Sequence, residues 1–335
     1  MRSILKLLLV AVILCGLSSP SLALAKVKPS KLAQINQGVS AVAIDPSGQP
    51  HVAYQGRDYH LYHAWYDGRR WARELVDGTS DCGWGNSIAV DAQGHVHISY
   101  AAFRGLGAQK LIYAVYDGSQ WQVQEVGREA AFTHLKLDTE GYPHILFKGD
   151  TGYSYAKHDG TSWHIEDIPG LTWNWYSDGL ALDADGHAHV VGNNGYATNR
   201  SGTWQVTHLV ADATAYMAIA VNNPGYPRVA ACLSDRLEYF TFDGANWTSE
   251  LIVDSAELEA EFPPGMTVVL DGVALALDGD EKPHFLMSAY ISAGEAGVEV
   301  SIYGYHDGVG WSGMMLDYKN TGFYPSIAVT SEGEV

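Results

Sequence analysis

Past residue 25 the chain is written in short alternations of apolar and polar residues, each broken within about ten residues by Gly, Asp, Asn or Pro, the period-2 pattern of half-buried β-strands. The alternations recur in groups of four. One submotif reads small–apolar–Ala–apolar–Asp, a Gly turn, then His: AVAIDPSGQPH (41–51), SIAVDAQGHVH (87–97), HLKLDTEGYPH (134–144) and GLALDADGHAH (179–189). It returns as AIAVNNPGYPR (218–228), ALALDGDEKPH (274–284) and, cut short, SIAVTSEGEV (326–335). A second submotif follows the first six: an aromatic strand, Asp-Gly, two residues and Trp, as in LYHAWYDGRRW (61–71), LIYAVYDGSQW (111–121), LEYFTFDGANW (237–247) and SIYGYHDGVGW (301–311), with a degenerate NRSGTW at 199–204. Each repeat thus holds four strands: A before the first turn, B after the repeated His, C before Asp-Gly and D from the Trp onward.

Four short strands in a repeat of roughly 47 residues predict an all-β chain folded as a β-propeller of four-stranded antiparallel blades. The small residues of strand A let blades converge on the axis. Asp-Gly suits the C–D hairpin because Gly accepts positive φ, and the Asp of the A–B turn can bond its own backbone. KLAQINQ (31–37) stands where other repeats have strand D, and the last repeat supplies a strand A. The expectation is therefore seven blades, the last incomplete because the pattern breaks off at Gly333-Glu334-Val335, on the order of 25 residues short of a full repeat. A six-bladed ring with frayed ends is the alternative.

Residues 1–25 read as a secretory signal peptide. Arg2 and Lys6 precede the apolar run Leu7–Leu14, and Ala23-Leu24-Ala25 offers a small-residue cleavage site. The alternatives are an uncleaved anchor or a lipoprotein at Cys15, where bulky Leu14 fits poorly. The expected location is secreted or periplasmic, with one propeller domain over 26–335. Cys82 and Cys232 then remain, enough for one disulfide or two separate thiols. The net charge of −18, from 20 Lys+Arg against 38 Asp+Glu, excludes a nucleic-acid binder, which needs a basic surface. It also disfavours adsorption to anionic lipid.

YDGSQW (116–121) and VDAQGHVHISY (90–100) resemble the repeats of secreted bacterial propellers of the sialidase-like, Asp-box kind, and the A–B half resembles NHL-type repeats. The resemblance implies the architecture over 31–335. It does not carry sialidase activity, because Gly118 directly follows Asp117 and no Ser/Thr precedes it in the Asp-box register.

Residues repeated in every blade belong to the fold. His51, His97, His144, His189 and His284, with Arg228 in the fifth repeat, are expected to bond a neighbouring backbone or blade, and would be too widely spread to hold one metal. Trp71, Trp121, Trp163, Trp204, Trp247 and Trp311 are expected to pack blades, and Asp45, Asp91, Asp138 and Asp183 to make turns. Asp183-Ala184-Asp185-Gly186 resembles the start of a calcium loop but lacks its later ligands. No metal or cofactor is expected.

Chemistry is sought instead on the irregular B–C and D–A connections, which share one face. Trp84, Trp173, Trp175 and Tyr176 could stack on sugar rings while Asn174, Asn193, Asn194 and Asp150 bond hydroxyls; the competing reading is a hydrophobic plug. Asp81, Cys82, Phe323 and Tyr324 lie on the same face. Arg57, Arg104, Arg128 and Arg236 could instead grip a carboxylate, with Asp58, Asp81, Asp150 or Glu129 as acid and base; the competing reading is ordinary salt bridging. His134 and Lys136 replace the small residues of strand A in repeat three alone, so they could point at the axis. The acidic 254–270 segment, with Glu257, Glu259 and Glu261, reads as a solvated insertion, with a lid or a calcium-prone tip as alternatives. The leading expectation is a binding propeller for an extracellular glycan or cell-surface partner. The others are a glycosidase or polysaccharide lyase acting on acidic sugars, and a protein-interaction scaffold.

Overall fold

The computed structural model describes residues 35–79, 81–103, 109–149, 152–171, 178–192, 195–211, 215–294, 296–317, 325–330 and 333. The signal segment lies outside them. Six sheets of four antiparallel strands follow one another along the chain. Blade one is β1 (Ile35–Ile44), β2 (Pro50–Gly56), β3 (Leu61–Tyr66) and β4 (Trp71–Asp77). Blade two starts at Cys82, blade three at Ala131, blade four at Asp178, blade five at Tyr216 and blade six at Thr267, whose last strand ends at Asp317. Each inner strand packs on the inner strand of the next blade from one to six. The molecule is thus a six-bladed β-propeller, the alternative the repeat count had left open. Among the described residues, no helix is long and apolar enough to cross a membrane.

The seventh repeat does not make a sheet among the described residues. Residues 325–327 line the axial cavity beside the six inner strands. Gly333 N–H donates to Thr330 O at 3.0 Å, as Gly186 does to Asp183 and Gly225 to Asn222. Gly333 also abuts Asp278 of blade six as Gly225 abuts Asp183. The repeat therefore places its last turn where the pattern requires without forming a blade. The N-terminal expectation is corrected too. Residues 35–37 are not a separate D strand but the start of β1, which pairs with β2 and shifts register between Ile35 and Ser40.

The turns behave as their residues dictate. Asp117 Oδ1 accepts the N–H groups of Ser119 at 2.9 Å and Gln120 at 3.0 Å, and Gly118 takes φ 91°. In the A–B turns the positive-φ position is Gly in blades one to five, but in blade six it is Glu281 at φ 63°. A side chain there is strained. The Glu281 carboxylate offsets the strain by accepting from Asn223 N–H at 2.9 Å and Asn222 Nδ2 at 3.3 Å in blade five.

The repeated His is a strut inside its own blade rather than a tie to a neighbouring blade or backbone. His189 Nε2 faces Asp183 at 3.5 Å and its Nδ1 lies 2.6 Å from Tyr196 Oη. A carboxylate only accepts, so the proton sits on Nε2 and the tyrosine hydroxyl donates to Nδ1. His97 with Tyr113, His144 with Tyr155 and His284 with Tyr303 repeat the arrangement. Blade one substitutes His63 for the tyrosine, 2.9 Å from His51. In blade five Arg228 donates instead to Pro227 O and Phe242 O.

The same tyrosines form the seams between blades. Trp163 packs edge-on against Tyr113, Trp204 against Tyr155, Trp247 against Tyr196 and Trp311 against Tyr239, each Trp coming from the following blade. Trp121 meets His63 in the same way. Five of the six repeated tryptophans are therefore blade-to-blade packing, as their repetition implied.

The 254–270 insertion is more than solvated chain. Asp254 caps α1 (Ser255–Ala260) by accepting from Glu257 N–H at 2.7 Å. Glu259 Oε1 accepts from Val268 N–H at 2.9 Å. Leu258, Phe262 and Met266 pack on the apolar cluster between blades five and six, so the segment is a side cover for that seam. Cys82 and Cys232 are both buried and are not joined in a disulfide, one lying in blade two and the other in blade five.

Candidate functional site

The described part of the irregular face is best built where blades one, two and three meet. Blade two enters through Asp81-Cys82-Gly83-Trp84-Gly85, a stretch with three positive φ angles, Asp81 at 55°, Gly83 at 89° and Gly85 at 50°, and Phe132 at 45° lies beside it in blade three. Three close backbone approaches hold the stretch. Cys82 N–H donates to Tyr59 O at 3.0 Å, which ties the stretch to the B–C turn of blade one. Phe103 N–H donates to Asp81 O at 3.2 Å, which ties it to the end of strand B of its own blade. A Cβ on Gly85 would stand 2.3 Å from Phe132 Cα, so only Gly admits blade three this closely.

Polar groups fix the stretch from below. Gln55 Nε2 donates to Cys82 O at 2.7 Å, Asn86 Nδ2 to Gly83 O at 2.9 Å and Thr133 Oγ1 to Gly85 O at 2.9 Å. Asp77 receives the Tyr100 hydroxyl at 2.6 Å and the Thr79 hydroxyl at 2.6 Å. On this base Asp81 Oδ1 accepts the Trp84 indole N–H at 2.8 Å. The bond fixes the plane of a half-buried indole. Around it, Tyr59 is 48% and Phe103 39% exposed, large apolar side chains that monomeric surfaces usually scatter singly. Phe132 is half-buried beside them and carries the Lys148 ammonium 5.9 Å over its ring.

The structure thus brings Trp84 and Asp81 together and adds Tyr59, Phe103 and Phe132, which sequence reasoning missed. A signal existed for two of them: Tyr59 and Phe103 adjoin Asp58 and Arg104, which were singled out for charge alone. Phe132 had none, because its placement follows from its positive φ. Cys82 is buried below the stretch and does not face solvent. Arg104, Asp150, Trp173, Asn174, Trp175, Tyr176, Asn193, Asn194, Phe323 and Tyr324 lie outside the described residues.

Three of the four arginine candidates, Arg57, Arg128 and Arg236, are among the described residues, in different places. Arg57 is exposed in blade one. Arg128 in blade two donates to Asp167 of blade three at 2.5 Å, and Arg236 in blade five binds Glu238 and Asp235. Among the described residues no contact joins any two of the three. Asp58 accepts the Tyr62 hydroxyl at 2.7 Å, and that bond holds its carboxyl below the usual range. Glu129 lies 4.0 Å from Lys110.

Asp183, Asp185 and His187 offer three atoms within 4.8 Å of one another. Asp183 Oδ1 already accepts from the N–H groups of Asp185 and His187, and its other oxygen faces His187 Nδ1 and, at 3.8 Å, Arg200 Nε. Burial opposes ionisation of Asp183, but these bonds outweigh it and its pKa is lowered. The group is a closed turn rather than a cation site.

No family model matches the chain, and no curated protein matches it in sequence. The resemblance to sialidase-like and NHL-type repeats therefore stands on architecture alone. Solved structures do match. A lectin from Aleuria aurantia in complex with Fucα1-6GlcNAc aligns over 85% of this chain and 96% of its own, with TM-score 0.55 and 16% identity. Another structure of that lectin, described as a six-bladed β-propeller with a novel fucose recognition mode, aligns over 84% and 95% at TM-score 0.54 and 17% identity. AofleA from Arthrobotrys oligospora aligns over 89% and 92% at TM-score 0.54 and 11% identity. At such identities the likeness is one of fold.

Proposed function

We propose that this propeller is a glycan-binding protein, acting outside the cytoplasm, whose sugar platform is the aromatic group around Trp84. The observation that carries the reading is the Asp81–Trp84 bond, which presents an oriented indole among exposed Tyr59 and Phe103. A sugar ring has a flat apolar face of C–H groups and a polar edge. An aromatic side chain matches the first at little entropic cost, because few rotatable bonds need fixing. Support also comes from the architecture shared with propellers whose described ligands are fucosides, which makes fucosylated glycans the first class to test.

The test is a glycan array probed with the purified protein, with fucosylated, neutral and acidic glycans side by side. Binding to a defined glycan set that is lost in Trp84→Ala supports the reading. Binding that survives Trp84→Ala moves the platform elsewhere, and absence of any glycan binding rejects it.

A further inference from the structure

Down the propeller axis runs a cavity of about 230 Å³, walled by the inner strands of all six blades and by residues 325–327. One position of strand A lines it in every repeat, a second lies two residues further along the strand, and both are small almost throughout. The first is Ala41, Ser87, Gly179, Ala218, Ala274 and Ser326; the second is Ala43, Ala89, Ala181, Ala220, Ala276 and Ala328. Blade three alone breaks the rule, with His134 at the first and Lys136 at the second. Both line the cavity. Six repeats out of seven show that Ala satisfies the fold at the second position, so the fold does not require the lysine.

Lys136 is costly where it stands. Water reaches its side chain inside the channel, but protein surrounds it, and this desolvation lowers its pKa with no compensating charge nearby. Among the described residues no carboxylate is paired with it, so an incoming carboxylate would relieve that cost. The acids of the opposite mouth are already engaged: Asp138 with His144, Asp183 with His187 and His189, Asp278 with His284, and Glu281 with Asn222 and Asn223. The remaining polar lining is Ser40, Asn86, Ser87, Thr133, Tyr216 and Ser326, of which Asn86 and Thr133 already donate to Gly83 O and Gly85 O. Ser87 Oγ accepts from Leu135 N–H at 3.0 Å, which leaves its own proton to donate inward.

We infer that the axial cavity is a second ligand site, adjoining the loop-face platform at Phe132, in which Lys136 and His134 hold the carboxylate of a small polyhydroxy acid such as a sugar acid. One ammonium suits one carboxylate. The hydroxyl lining suits the polyol, and the cavity volume limits the ligand to the size of a single sugar.

The experiment follows the lysine Cε–Hε NMR signals of the whole protein, with Lys136 assigned by its loss in Lys136→Ala. That variant installs the residue of every other repeat, so circular dichroism and melting should report an intact fold. Addition of D-glucuronate should shift the Lys136 signal saturably. By calorimetry, Lys136→Ala should lose at least tenfold in glucuronate affinity, and His134→Ser should lose several-fold. Glycan binding at the loop face should be unchanged in both variants, so the two sites fail or stand separately. The inference is overturned if glucuronate leaves Lys136 unmoved, if D-glucose shifts it equally, or if Lys136→Ala binds as wild type does. Inorganic phosphate shifting the signal where glucuronate does not would overturn the carboxylate assignment.

Discussion

Gly85 and Phe132 sit so close that a single added methyl group on the glycine would stand 2.3 Å from the phenylalanine Cα. Both residues hold positive φ, at 50° and 45°. This contact sets how blade three closes on blade two and where the Trp84 loop sits. Gly85→Ala should therefore cost about 2–4 kcal/mol, from backbone clash and left-handed strain together. Urea unfolding checks it, and a loss under 1 kcal/mol would mean that the approach is looser than the geometry states.

Asp81 orients the Trp84 indole without supporting the core. Asp81→Gly relieves the strained φ and removes the acceptor for the indole N–H. Glycan affinity should fall about tenfold, the worth of one buried hydrogen bond, while the melting temperature stays the same or rises. Asp81→Asn keeps the acceptor oxygen and should keep most of the affinity. Calorimetry on the two variants distinguishes orientation from charge.

The His–Tyr–Asp struts make the fold sensitive to acid. Burial pushes His144 and His63 down to about 4, with partial compensation from Asp138 and Glu74, and lowers His97 and His189 too. An unfolded histidine titrates at roughly 6.5. As pH falls through that value the unfolded chain takes up protons that the folded chain refuses. Stability is thus fully present above about pH 6.5 and is lost as pH falls toward 4. Asp91, Asp183 and Asp278, whose pKa values are lowered by turn hydrogen bonds despite burial, add a further loss below about pH 4. Melting curves between pH 8 and 4 check the sign. Tyr155→Phe should destabilise by about 1–3 kcal/mol by leaving His144 Nδ1 without its donor.

The free cysteines should be silent in the native protein. Cys82 and Cys232 are fully buried, and burial raises the Cys232 thiol to about 12. A thiol reagent at pH 8 should label neither until denaturant is added, and then both. Prompt labelling of Cys232 in native protein would contradict its burial between blades five and six.

The four-stranded blades and the role of the repeated tryptophans were legible because repetition itself is informative: Trp163, Trp204 and Trp247 do in sequence order what their spacing implied. The His partner was not legible. A strand-C tyrosine satisfies four of the rings from within their own blades, and only the register that pairs His144 with Lys157, two residues from Tyr155 on the same strand, brings Tyr155 Oη to Nδ1. The seventh repeat misled the count because its sequence continues the pattern, whereas residues 325–330 stay outside every sheet. At the site, Trp84 and Asp81 could be picked out as irregular. Their pairing depends on αL backbone at Asp81, which no residue-type rule specifies, and Phe132 reaches them only through Gly85. Lys136 was legible as an exception to its repeat, and the cavity gives that exception a place.

The central claim is that the oriented Trp84 face binds sugar. Saturation-transfer NMR with α-methyl-fucoside and a panel of neutral monosaccharides tests it most directly, on wild type and Trp84→Ala in parallel. The account predicts transfer to the ring C–H protons of at least one sugar in the wild type, and its loss in a variant that melts at the same temperature. Equal transfer in both proteins, or none in the wild type at millimolar sugar, would contradict it.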